Sequence, residues 1–198
     1  SLALVRILRR LYRVDAKVKW PNDILVDDKK LSGMLSEMET EADLVSYINV
    51  GLGINVNNDP RNEEPSATSL KILLNRNVSR IEILTHFFNE FENLLSNLES
   101  EDIIYHWKQY SGTLNRPVKI VTTTELIEGI ATDVDETGAL VLKLSDGTVK
   151  RVIYGDCFYQ DRHCAGSAGK HSALLSHHSD NCHFFQQLVA AENRAERL

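Results

Sequence analysis

Cysteine is scarce in this chain: Cys157, Cys164 and Cys182 are the only three in 198 residues. An odd count at uneven spacing excludes a disulfide framework and fits a reducing, cytoplasmic compartment. Long apolar runs are missing as well, so no stretch reaches the roughly 20 residues that a membrane-spanning helix needs. The first residues, Ser1 to Arg13, hold basic side chains but neither the continuous apolar core nor the small-residue cleavage site of a secretory signal. No initiator Met opens the chain, as expected of a fragment or a processed product. Positive charge is not in excess: 22 Lys and Arg face 28 Asp and Glu, for a net charge of −6. Residues 1–112 hold 13 basic against 17 acidic side chains, residues 113–160 hold 5 against 7, and residues 161–198 hold 4 against 4. No region is a basic arm, which argues against a protein that grips nucleic acid through a broad cationic surface.

What is present is enough apolar material, 42%, for a packed core. Its pattern divides the chain into three parts, 1–112, 113–160 and 161–198. In the first, Leu2, Val5, Leu8, Leu11 and Tyr12 recur at helical spacing with arginines between them, which predicts a helix over 2–13. Short strands are predicted at Val18–Trp20 and Ile24–Val26, and longer ones at Leu31–Glu39 and Asp43–Val50, the last ending at Gly51-Leu52-Gly53-Ile54-Asn55-Val56. Residues 57–67 read as a loop and residues 69–74 as a short helix. Ser79-Arg80-Ile81-Glu82 is a capping box, and behind it Leu84, Phe87, Phe88, Phe91, Leu94, Leu95 and Leu98 form an apolar stripe that predicts a core-facing helix. A second helix is predicted from Ile103 to Tyr110, ending near Gly112. After Gly112 the period changes to two: Val118–Val121, Ile127–Val134, Ala139–Leu144 and Val149–Tyr154 read as strands of a small β-module that closes into a barrel. The fold expected is therefore α+β, with helices packed on a mixed β-sheet and a small barrel behind it. Residues 163–183 hold five of the seven histidines and two of the three cysteines, but their spacing fits no standard zinc finger. This tail is expected to be flexible, without a metal site.

The chemistry concentrates in Lys19-Trp20-Pro21-Asn22-Asp23 and Lys30-Leu31-Ser32-Gly33-Met34. Two lysines beside one turn could neutralise a phosphate and an attacking carboxylate together, or could be ordinary solvated surface groups. Asn22 and Asp23 could satisfy local backbone in an Asx turn, or could orient Lys30 and contact phosphate or the water shell of magnesium. Gly33 marks either a bulge or a place where a ligand lies against bare backbone. Gly51 and Gly53 resemble the start of a dinucleotide fingerprint whose third glycine is replaced by Val56. They are weak evidence alone, but as a strand-end loop they would expose backbone amides. Asn55 carries a donor and an acceptor, which suits an adenine edge.

Taken in order, Lys19–Asp23, Lys30–Gly33, Gly51–Val56 and Ala67-Thr68-Ser69-Leu70 resemble consecutive blocks of the biotin protein ligases. The β-module is similar to that family's C-terminal barrel of the Src-homology-3 type. The resemblance covers about residues 2–160. It implies a catalytic domain at 1–112 lacking its N-terminal part, a barrel domain at 113–160 and a tail at 161–198 foreign to the family. It also implies biotin and ATP as substrates, magnesium as cofactor, and a carboxylase carrier domain as protein partner, with no nucleic acid, no membrane and a plausible homodimer. Biotinyl-AMP would form first, and its acyl group would then pass to a carrier lysine. Lys30 and Asp23 would be catalytic; Lys19, Asn22, Gly33, Met34, Gly51, Gly53 and Asn55 would hold the ligands. The family's Gly/Arg-rich loop and its adenine-stacking aromatic are expected before the first helix, and no such segment, nor a helix-turn-helix, is found here. The alternatives are a truncated, non-catalytic binding or oligomerisation module and a lipoate-type ligase.

Overall fold

The computed structural model describes residues 1–41, 44–97 and 102–160. The tail, with Cys164, Cys182 and the histidines after residue 160, lies outside the described residues, as does Leu98.

The amphipathic pattern at the start forms α1 (Leu2–Tyr12), which buries Leu4, Val5, Ile7 and Leu8 completely. It ends where Arg13 turns into the left-handed region, its N–H returning to the Arg9 carbonyl at 3.1 Å. Four antiparallel strands follow in spatial order: β1 (Lys17–Lys19), β2 (Asp23–Val26), β3 (Lys29–Glu41) and β4 (Leu44–Ile54). Asp27 and Asp28, with φ of 51° and 58°, make the two-residue turn between β2 and β3. Both residues in the left-handed region match the right-handed twist of the flanking strands.

The strand-end loop expected at Gly51-Leu52-Gly53 is not there. β4 runs straight through it, with Gly51 paired to Leu35 and Gly53 paired to Gly33. The pairing partner on β3 is long enough to extend the ladder, so these backbone groups serve the sheet rather than a loop.

Beyond β4 come α2 (Leu70–Leu74), α3 (Arg80–Ser96) and α4 (Ile103–Gln109), capped by Ser69, Ser79 and Asp102. The Ser79 hydroxyl accepts the Glu82 N–H at 3.2 Å. Ser79→Ala is expected to cost about 1 kcal/mol in a urea unfolding midpoint, and Ser79→Asp much less. The aromatic stripe of α3 is core-facing only in part. Ile83 and Leu94 are buried, and Phe87 and Phe91 stack at 5.7 Å against the core, but Leu84, Phe88 and Leu95 are half exposed. The helix meets α1 along one face, where Arg6 and Arg10 both reach Glu90, and its apolar arc is wider than that face.

The second sheet holds β5 (Pro117–Val121), β6 (Leu126–Val134), β7 (Leu140–Lys143), β8 (Val149–Val152) and β9 (Asp156–Tyr159), in antiparallel order β8-β7-β6-β5-β9. It is the Src-homology-3-like barrel, filled by Val118, Ile120, Ala131, Leu140, Leu142 and Cys157. The turn into β9 needs Gly155: at φ +131°, a Cβ there would lie 2.9 Å from the Val121 carbonyl. The barrel is fastened to the first sheet around β1. Val18 exchanges backbone bonds with Tyr110 and Gly112 at 2.9 and 2.8 Å. Trp20 donates its backbone N–H to Thr113 Oγ1 and its indole N–H to the Gly138 carbonyl, both at 3.0 Å. No helix among the described residues is long and apolar enough to cross a membrane.

Candidate functional site

Strict alternation along β3 would put Lys30 on the opposite face of the sheet from Gly33. The register shows why it is not. Asp23 pairs with Gly33 and Ile24 with Ser32, but Leu25 pairs with Lys30, so Leu31 is an extra residue in β3. This bulge sends Leu31 into the core, fully buried, and returns Lys30 to the face of Asp23 and Gly33. Lys30 Nζ then lies 2.9 Å from Asp23 Oδ1. Lys19 Nζ approaches the other carboxylate oxygen at 3.7 Å. All three side chains are partly buried, Asp23 the most at 17% exposure. One carboxylate between two ammonium groups leaves net positive charge, which suits an anionic ligand. The start of β3 is anchored from the far side as well, since Lys30 N–H donates to the Ser66 carbonyl and its carbonyl accepts from Thr68, each at 2.9 Å.

Asn22 holds the turn. Its side-chain amide donates to the Met34 carbonyl at 2.6 Å, and its own carbonyl accepts the Met34 N–H at 3.0 Å. One of the two amide N–H donors expected for phosphate is thus engaged with backbone. Met34 itself points to the opposite face with Leu52 and Ile54, packed against the core, and contributes only its backbone near the site.

On the face of Lys30 the floor is bare. Gly33 and Gly53 face each other across the ladder, with Gly51 opposite Leu35. An open concavity of about 350 Å³ lined by Leu35, Glu37, Asn49, Val50 and Gly51 continues along the same ribbon. A Cβ on Gly51 or Gly53 would meet nothing nearer than 3.6 or 3.8 Å, so packing in the protein does not require glycine at either position. On Gly33 a Cβ would stand 3.3 Å from both Lys30 Nζ and Asp23 Oδ1. Asn55 follows directly on β4, where its backbone N–H reaches the Leu31 carbonyl at 2.9 Å and its side-chain oxygen accepts from Asn58 at 3.0 Å. Lys19, Asp23, Lys30 and the three glycines therefore converge. Asn22 and Met34 support them from behind, and Asn55 flanks them at the end of β4.

Four residues that sequence reasoning passed over also reach this place. Arg116 forks onto Asp28 at 2.7 and 3.2 Å, and its guanidinium lies 3.8 Å from the centre of the Tyr159 ring. Tyr159 faces Lys19 Nζ at 5.7 Å, and its hydroxyl is 3.3 Å from Thr113 Oγ1. Burial pushes the Tyr159 hydroxyl up to about 12 and the Cys157 thiol up to about 11. The only sequence signals were an Asp pair ending a strand and an Arg before Pro117.

The Arg116 hydrogen bond holds the Asp28 carboxyl below its ordinary range. A carboxylate depressed on folding adds stability above its unfolded value and loses that stability as pH falls through the folded one. Between about pH 5 and pH 2 the wild-type thermal midpoint is therefore expected to fall more than that of Arg116→Ala. Equal slopes would show that the pair contributes nothing.

Residues 1–55 match the model of the biotin/lipoate A/B protein ligase family, and residues 113–159 match that of the biotin protein ligase C-terminal domain. The chain is 29% identical over 164 residues to the bifunctional ligase/repressor BirA of Bacillus subtilis, covering 79% of this chain and 50% of that protein. It is 29% identical over 135 residues to the biotin–[acetyl-CoA-carboxylase] ligase of Mycobacterium tuberculosis, covering 67% of this chain and 49% of that protein. The chain thus spans about half the length of the curated relatives it matches. A biotin protein ligase from Aquifex aeolicus, solved in complex with biotin and ATP, superposes with a TM-score of 0.66 at 26% identity, covering 80% of this chain and 68% of that one.

Proposed function

Because this chain belongs to the biotin protein ligase family, we propose that it carries the lysine half of a site that activates biotin with ATP and transfers it to a carrier-protein lysine. The observation that carries this reading is the convergence of Lys19 and Lys30 on Asp23 beside a glycine floor.

In the first step a biotin carboxylate oxygen bonds to the α-phosphorus of ATP, the bond to the β-phosphate oxygen breaks, and pyrophosphate leaves with its electron pair. Lys30, and Lys19 behind it, would stabilise the negative charge that gathers on the α-phosphate oxygens. Asp23 would hold Lys30 over Gly33, where the mixed anhydride would lie. In the second step the neutral amine of the carrier lysine attacks the acyl carbon, the bond to AMP breaks, and the nitrogen gives up a proton. Asp23 is the carboxylate on hand to receive that proton. The carrier would approach from the open side of the glycine face.

Magnesium finds no ready cage among the described residues, where no three His, Cys, Asp or Glu side chains gather. Asp23 is also shared by two ammonium groups. Among the described residues, β4 keeps one edge unpaired, which supports self-association through that edge.

A direct test incubates the chain with biotin, ATP, magnesium and a biotin carrier domain, and reads the carrier mass. Addition of one biotin supports the reading. Mass addition only when lipoate and a lipoyl carrier domain replace biotin and its carrier would favour the lipoate-type alternative. Binding of the carrier without any mass change would favour a non-catalytic docking module.

A further inference from the structure

The cationic cluster is one arc of a closed circuit of contacts that runs through the barrel. Lys30 reaches Asp23 at 2.9 Å, and Asp23 reaches Lys19 at 3.7 Å. Lys19 Nζ stands 5.7 Å from the centre of the Tyr159 ring, and the Arg116 guanidinium lies 3.8 Å from that same centre. Arg116 forks onto Asp28 at 2.7 and 3.2 Å, and the chain leads from Asp28 through Lys29 back to Lys30. A branch ties the circuit to the Trp20 turn: the Tyr159 hydroxyl meets Thr113 Oγ1, which accepts the Trp20 N–H.

We infer that Arg116 and Tyr159 are positioning residues for Lys30 and Lys19, so that the barrel sets the geometry of the catalytic lysines. The inference rests on the ligase reading above, which makes those lysines the reacting end of the site.

Three physical arguments support it. First, the turn before Lys30 places two non-glycine residues, Asp27 and Asp28, in the left-handed region, a conformation that persists when neighbours over-determine it. The Arg116 fork is such a neighbour. A planar, bidentate contact fixes orientation as well as distance, so it holds the turn in the pose from which β3 and its bulge begin. Second, Lys19 has a long stem with many rotamers. An aromatic face on one side and the Asp23 carboxylate on the other give its ammonium a preferred place. Third, the charge of Arg116 is met by Asp28. What Arg116 gives the site is therefore orientation more than net field.

Substitutions separate these roles. Asp28→Gly suits the turn better than Asp does and removes only the fork. Tyr159→Phe keeps the ring and loses the hydroxyl, whereas Tyr159→Leu loses the ring. In the full chain, heteronuclear NMR of the lysine ammonium groups reads position, and titration with biotinyl-AMP reads the consequence. The Lys19 signal is expected to carry an upfield ring-current displacement in the wild type and in Tyr159→Phe, and to lose it in Tyr159→Leu. In Arg116→Ala and Asp28→Gly that displacement should shrink, with biotinyl-AMP bound about tenfold more weakly. The thermal midpoint of Asp28→Gly should hold. Wild-type affinity in both Arg116→Ala and Asp28→Gly, or a Lys19 signal indifferent to Tyr159→Leu, would overturn the inference. Should the wild type itself fail to bind biotinyl-AMP, the ligase reading falls for this chain. The ammonium signals then decide by themselves whether the barrel sets the lysine geometry.

Discussion

Lys30→Gln is expected to weaken biotinyl-AMP binding and, in a polypeptide that turns over, to slow adenylate formation by about 10²–10³-fold. The reason is electrostatic. Both proposed steps gather negative charge on the same phosphate oxygens, and Lys30 is the ammonium that the β3 bulge brings over the glycine floor. Glutamine can still donate a hydrogen bond but supplies no charge. It also leaves Asp23 with one cation, Lys19, at 3.7 Å. Folding should hardly change, because the Lys30 side chain is 36% exposed and exposed ion pairs contribute about 0–1 kcal/mol. A large loss of affinity with an unchanged thermal midpoint is the expected pair of results. A loss of both together would assign Lys30 to structure.

The second large effect is expected from Gly53→Ala and Gly51→Ala. In a strand, alanine is better tolerated than glycine by about 0.5–1 kcal/mol, and the added methyl meets nothing nearer than 3.6 Å. Stability should therefore stay level or rise slightly. Binding should suffer, since a methyl standing on the floor overlaps a ligand that lies on bare backbone. Overlap of that size costs about 1–3 kcal/mol, or roughly tenfold to hundredfold in affinity. Calorimetry on the two variants and the wild type checks both halves. Unimpaired binding would show that the ligand does not rest on Gly51 and Gly53.

The elements legible in the sequence are those whose signals are local. Helix α1 follows from its apolar spacing. Helices α2 and α3 begin at Ser69 and Ser79, whose hydroxyls accept the backbone N–H three residues on. Gly51-Leu52-Gly53 misled because two glycines close together weaken the local preference for strand. The ladder with β3 overrides that preference. The exposed half of α3 was hidden for a related reason: an apolar stripe states how much a helix could bury, whereas its neighbour α1 decides how much it does bury.

The candidate site divides the same way. Lys19, Asp23, Lys30 and Gly33 stand within fifteen residues of one another, so the motif carries them. That Lys30 and Gly33 share a face could not be read from alternation, because the extra residue at Leu31 is a property of pairing with β2. Arg116, just before β5, and Tyr159, at the end of β9, lie far along the chain. Residue 116 meets residue 28 only because the barrel docks on β1, and β9 was not among the strands the alternating pattern picked out. Long-range pairing of this kind leaves little local trace.

The measurement that bears most directly on the central claim is isothermal titration of the full chain and of Lys30→Gln with biotinyl-AMP. Saturable heat with the wild type, lost in Lys30→Gln while both proteins melt alike, is the result predicted by a site built from Lys19, Asp23, Lys30 and the glycine floor. Equal binding by the two proteins, or none by a folded wild type, would contradict it.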